Sequence, residues 1–122
     1  MPKVTNKREL DYEYCWKLFI REGLSVYRIA KILRDEGVIN PKNGKSYHAQ
    51  SVWRGAWLWA LDNIQEARND METYYTSVGK ILDDDTFYRD ILAKAKTHLT
   101  KVNYQKFLEK HSYMKPYLPN ES

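Results

Sequence analysis

The chain has 122 residues, 43% of them hydrophobic, with ten tyrosines, four tryptophans and a formal net charge of +4. That hydrophobic share supports one compact domain, or a small domain with an assembly arm, and excludes disorder as the default state. A single cysteine excludes an intramolecular disulfide and a cysteine-rich metal cluster, and no stretch is apolar enough to span a bilayer.

The charge is unevenly placed. Residues 1–60 hold 11 lysines and arginines against 6 acids, a surplus of 5, whereas residues 61–122 hold 9 against 10. A basic N-terminal half without a basic amphipathic helix favours nucleic acid over a membrane surface. A surplus of this size is also ordinary for a soluble surface, so the pattern inside that half has to carry the functional reading. Nothing at the N-terminus reads as a signal peptide, and a cytoplasmic protein is expected.

Residues 1–6 are polar, contain Pro2 and are expected to fray, with Lys3 within reach of a phosphate. Asn6 is expected to cap a helix from about Arg8. Its Leu10, Tyr14, Leu18 and Phe19 recur at three- and four-residue steps, and Gly23 closes it. Cys15 falls inside that apolar pattern and reads as a small core residue rather than a nucleophile. Ser25 caps a second helix over residues 26–36, with Ile29, Ala30, Ile32 and Leu33 inward and Arg28, Lys31, Arg34 and Asp35 outward. Gly37 ends it, and Asn40-Pro41 and Asn43-Gly44 predict a tight loop or small hairpin carrying Lys42 and Lys45.

A third helix is expected to start between Ser46 and Ala49 and run to about Leu61. Trp53, Trp57 and Trp59 do not fit one narrow stripe, so a second cover is expected from the C-terminal half or from a partner subunit. Their helical spacing favours packing over stacking on single-stranded bases. From Ile64, the residues Ala67, Met71, Tyr74, Tyr75, Val78, Ile81 and Leu82 keep helical spacing. Asp83-Asp84-Asp85 suits the positive start of the next helix. Two more helices are expected over about 86–99 and 102–111, then an irregular tail from Lys115, with no strand anywhere. The expected fold is all-α: a helix-turn-helix three-helix unit over 1–61, then two or three further helices over 62–122 for packing or oligomerisation.

Ser25-Val26-Tyr27-Arg28-Ile29-Ala30-Lys31-Ile32-Leu33, then Glu36-Gly37-Val38, Pro41, Gly44, Lys45, Tyr47 and Ser51-Val52-x-Arg54, resembles the DNA-binding "recombinase" segment of large serine recombinases and resolvase-like proteins. The match covers about a third of the chain. It departs from the family pattern at His48, where a serine is usual, and at Gly55-Ala56, which replaces a bulky pair and invites close approach of another helix. The family's catalytic serine and arginine cluster have no counterpart in the residues before Ser25. The resemblance therefore implies DNA binding, not strand exchange.

In such a motif the start of the second helix reaches base edges. Gln50 suits adenine and Arg54 suits guanine, one helical turn apart on one face. His48 and Ser51 are the further candidate base contacts, and Arg28, Lys42 and Lys45 are the candidate phosphate contacts. No cofactor, metal or small-molecule substrate is expected: His48, His98 and His111 lack ligand spacing, and Asp83 to Asp85 lack a calcium loop's spacing. The expected partner is double-stranded DNA, bound by a homodimer or higher homo-oligomer that regulates transcription or assists phage or mobile-element DNA. Two alternatives stand beside this: an oligomeric phage packaging protein of small-terminase type, and an inhibitor or protein-interaction module with a vestigial helix-turn-helix.

Overall fold

The computed structural model describes residues 6–119; Lys3 and most of the polar N-terminal tail lie outside them. Among the described residues the fold is all-α apart from one two-residue strand pair, and it divides into two compact units, up to Asn63 and from Ile64. No helix among the described residues is long and apolar enough to cross a membrane.

The first unit opens with the one departure from an all-helical reading. Strand β1 (Asn6–Lys7) pairs in parallel with β2 (Val38–Ile39), and Arg8 N–H continues the ladder by donating to Ile39 C=O at 3.1 Å. Those backbone bonds hold residues 6–8 extended, so the first helix does not begin near Arg8 under an Asn6 cap. It begins at α1 (Tyr12–Trp16), where the Asp11 carboxylate accepts from Tyr14 N–H at 3.0 Å. It continues as a π-helical turn (Lys17–Arg21), closed by Glu22 N–H donating to Lys17 C=O. The later start and the wider turn shift the buried stripe to Cys15, Trp16 and Ile20, leaving Leu10, Tyr14, Leu18 and Phe19 half-buried.

Helix α2 (Val26–Asp35) is capped as expected, by Ser25 Oγ accepting from Arg28 N–H at 3.2 Å. It buries Ile29, Ala30 and Leu33, with Ile32 half-covered at the margin. Gly37 follows at φ 73°, a left-handed turn that a side chain would strain. The chain then makes β2 and a tight loop, in which Asn40 N–H donates to Lys45 C=O and Gly44 N–H donates to Asn40 C=O, both at 2.8 Å.

Helix α3 (Ala49–Asp62) packs on α1 and α2. Trp57 and Trp59 pack against α1 and the turn that follows it, and Trp53 is half-buried. Trp16 meets Trp57 edge to face at 5.2 Å between centroids and stacks on Trp59 at 6.0 Å, while Phe19 meets Trp57 at 6.3 Å. The helix ends at Asn63, whose side-chain amide donates to Trp59 C=O at 2.9 Å.

In the second unit, α4 (Ile64–Ser77) stops earlier than the periodicity predicts. Gly79, at φ 75°, turns the chain, and Val78 and Ile81 are exposed instead of continuing the stripe; Leu82 is buried. Asp83 caps α5 (Asp84–His98), accepting from Thr86 N–H at 2.7 Å, and Phe87, Ile91, Leu92 and Ala95 form its buried face. The hydrogen bond from Thr86 holds the Asp83 carboxyl below its ordinary range. Thr100 caps α6 (Lys101–Lys110), which buries Phe107. The tail from Lys115 is not irregular throughout: Ser112–Tyr117 form a 3₁₀ helix that buries Met114 completely.

Candidate nucleic-acid interface

Helix α3 changes character along its length. Each residue advances about 100° around an α-helix, so Gln50, Ser51 and Arg54 fall within an arc of about 100°, and all three are exposed. On its other side Val52 is buried, and after Arg54 burial becomes dense: Gly55, Ala56, Trp57, Ala60 and Leu61 are buried and Leu58 and Trp59 half-buried, with Asp62 exposed at the end. Gly55 is required by close packing: a Cβ there would lie 2.6 Å from Tyr12 Cδ1 and 3.3 Å from Leu10 Cδ2. The close helix approach anticipated from Gly55-Ala56 is thus the approach of α1 and the segment before it.

His48 occupies the cap position, exposed and in extended conformation, but makes no side-chain capping bond. The first turn of α3 also contains no acid. Its free amides and dipole therefore leave a positive helix end unopposed by side chains.

The cations differ in their surroundings. Arg28, Lys42, Lys45 and Arg54 are all exposed and make no ion pair with the described residues. Lys42, however, shares a groove with Glu9, Asp11, Glu13, Tyr47 and Trp59. Trp59 leaves α3 about 180° from Gln50, so Lys42 and the exposed arc face different sides of the helix. The three carboxylates also repel a phosphate that would approach Lys42. Sequence reading missed this acidic rim because Glu9, Asp11 and Glu13 are distant from Lys42 along the chain and meet it only through the β1–β2 pairing.

That pairing is fastened by side chains. Tyr47 Oη donates to Arg8 C=O at 2.9 Å, Tyr14 Oη donates to Glu36 at 3.1 Å, and Arg8 lies 3.8 Å from Glu36. Burial, then the bond to the Glu36 carboxylate, raises the Tyr14 hydroxyl above its ordinary range. Exposed pairs of this kind contribute little energy singly; their effect is to fix where the loop carrying Lys45 leaves α2.

Cys15 is fully buried, and that burial, helped by the Asp11 carboxylate, pushes its thiol up to about 12. A thiol held protonated inside a core is a packing group, not a nucleophile at neutral pH. Among the described residues no cluster of three histidine, cysteine or acidic side chains is placed to hold a metal ion. No protein-family model matches the chain, and no curated protein or solved structure matches it at a significant level.

Proposed function

We propose that the N-terminal unit binds double-stranded DNA, with the first half of α3 as the element that reads base edges. The observation that carries this reading is the exposed arc of Gln50, Ser51 and Arg54 at a helix start free of acids and of a side-chain cap. The Gln50 amide can accept from adenine N6 and donate to N7, and the Arg54 guanidinium can donate to both guanine O6 and N7 in the major groove. Lys45 and Arg28 serve the flanking phosphates, and Lys42, beside its acidic neighbours, serves them least. The likeness of residues 25–54 to the DNA-binding segment of large serine recombinases agrees with this role. The biological task is regulation of transcription or an accessory function on phage or mobile-element DNA, carried out by a dimer or larger homo-oligomer.

Selecting bound fragments from a random duplex pool, followed by titration of the enriched site across salt concentrations, tests the proposal. An enriched motif with steep salt dependence is expected. Failure of the full chain to bind any duplex at low salt would falsify it.

A further inference from the structure

The second unit is electrically divided, although its total charge hides this. Residues 64–90 carry 7 acids and 3 basic side chains, and residues 91–119 carry 6 lysines and one acid, Glu109. The two parts also differ in pairing. On the acidic side, Arg68 is paired with Glu72 and Asp84, and Arg89 with Asp85. At the boundary, Lys94 is paired with Asp90. On the basic side, Lys96, Lys101, Lys106, Lys110 and Lys115 are exposed and make no ion pair with the described residues.

Lys96 stands in the last turn of α5, and Lys101, Lys106 and Lys110 are spread along α6, which packs against α5. Lys96 borders a groove also lined by Tyr104, Gln105 and Leu108 of α6. Lys101 sits one turn before Gln105, and Lys106 and Lys110 follow each other by a turn on the exposed side of α6. Helix dipoles account for part of this arrangement, since Lys96 and Lys110 stand in the last turns of their helices. They do not account for Lys101, which opens α6 at its positive end with no acid in the first turn, whereas α5 opens with Asp84 and Asp85. An anionic partner turns that unfavourable position into a favourable one.

We infer that the α5–α6 corner is a second DNA contact, one that neutralises backbone phosphates without reading sequence. The cations there without an ion pair to a described residue are lysines, compact point charges on flexible stems, whereas Arg89, which also lines the groove, is held by Asp85 and Tyr117 C=O. The inference rests on the DNA-binding reading for its choice of polyanion. It goes further by making the protein a two-surface binder, with sequence read by α3 and a salt-sensitive grip supplied by α6.

The test uses the full chain carrying Lys96→Gln, Lys101→Gln, Lys106→Gln and Lys110→Gln together, with circular dichroism confirming the fold. Binding to a random-sequence duplex is followed by fluorescence anisotropy over a range of sodium chloride. Each neutralised phosphate contributes about 0.9 to the slope of log affinity against log salt, so a slope flatter by about 2–4 is expected. Preference for the selected motif should persist, and the four lysine-to-arginine changes should restore the slope. An unchanged slope in a variant whose sequence preference still depends on Arg54 overturns the second contact and leaves the α3 reading intact. Loss of binding to phosphatidylserine vesicles with an unchanged DNA slope also overturns it, in favour of a membrane partner. Absence of duplex binding by the wild-type chain overturns both.

Discussion

Trp16 and Trp57 meet edge to face with their ring centroids 5.2 Å apart, and both are essentially removed from solvent. This contact, between a short N-terminal helix and the middle of α3, fixes the helix whose front end is exposed. Removing either ring leaves a large void that neighbours fill only in part, so Trp16→Ala and Trp57→Ala should each cost about 3–5 kcal/mol of folding free energy. Denaturant melts of the single and double variants should show coupling of about 0.5–1.5 kcal/mol, the amount an aromatic pair adds beyond buried area. Strictly additive losses would mean the rings merely share a core.

Gly55→Ala brings two opposed effects. Alanine favours a helix interior over glycine by about 1 kcal/mol, but its Cβ would lie 2.6 Å from the Tyr12 ring. Overpacking of this kind costs about 1–3 kcal/mol, so a net loss of about 1 kcal/mol is expected. In a Tyr12→Ala background the same substitution should become stabilising. Equal effects in both backgrounds would show that the ring moves aside freely.

For DNA binding, Arg54→Ala should weaken the preferred sequence by about 1–3 kcal/mol and relax the choice of base at one position. Lys45→Ala should weaken all sequences alike and reduce the salt slope by about 1. Lys42→Ala should do less, because Glu9, Asp11 and Glu13 share its groove. Competition assays with specific and random duplexes distinguish the three. Equal losses on both duplexes for Arg54→Ala would make that residue a phosphate contact only.

Cys15 gives the chain an alkaline limit. Its thiol keeps its proton more tightly in the folded state, pushed from 9.0 to about 12 by burial and then by Asp11. The resulting stabilisation is complete below the unfolded value and is lost as pH rises from 9.0 toward 12. Tyr14 and Tyr47 are raised in the same direction by burial, so Cys15→Ala should flatten the alkaline fall in denaturation midpoint without abolishing it. A fall as steep as in the wild type would assign the whole effect to the tyrosines.

The parts legible in the sequence are those with local causes. Ser25 and Asp83 cap the helices predicted for them, and Phe87, Ile91, Leu92 and Ala95 lie on one buried face because period alone places them there. Gln50, Ser51 and Arg54 are exposed as expected, on the side of α3 turned away from the buried Val52 and Ala56. The illegible parts depend on contacts between distant residues. Residues 6–8 are extended only because Ile39 and Tyr47 supply hydrogen-bond partners, and that pairing delays the first helix. The position of Lys42 beside Glu9 follows from the same pairing. Neither period nor composition encodes it.

The arc of α3 open to solvent has a numerical consequence for any site it reads. Three side chains within two turns span about three or four base pairs, and a four-base-pair word recurs by chance about once in every 256 positions. Such a word is far too common to mark an address in even a small genome. Selectivity must therefore be multiplied, by a second copy holding a second word at a fixed helical phase or by further grip elsewhere on the chain. A lone protomer would scan DNA more readily than it would settle on it.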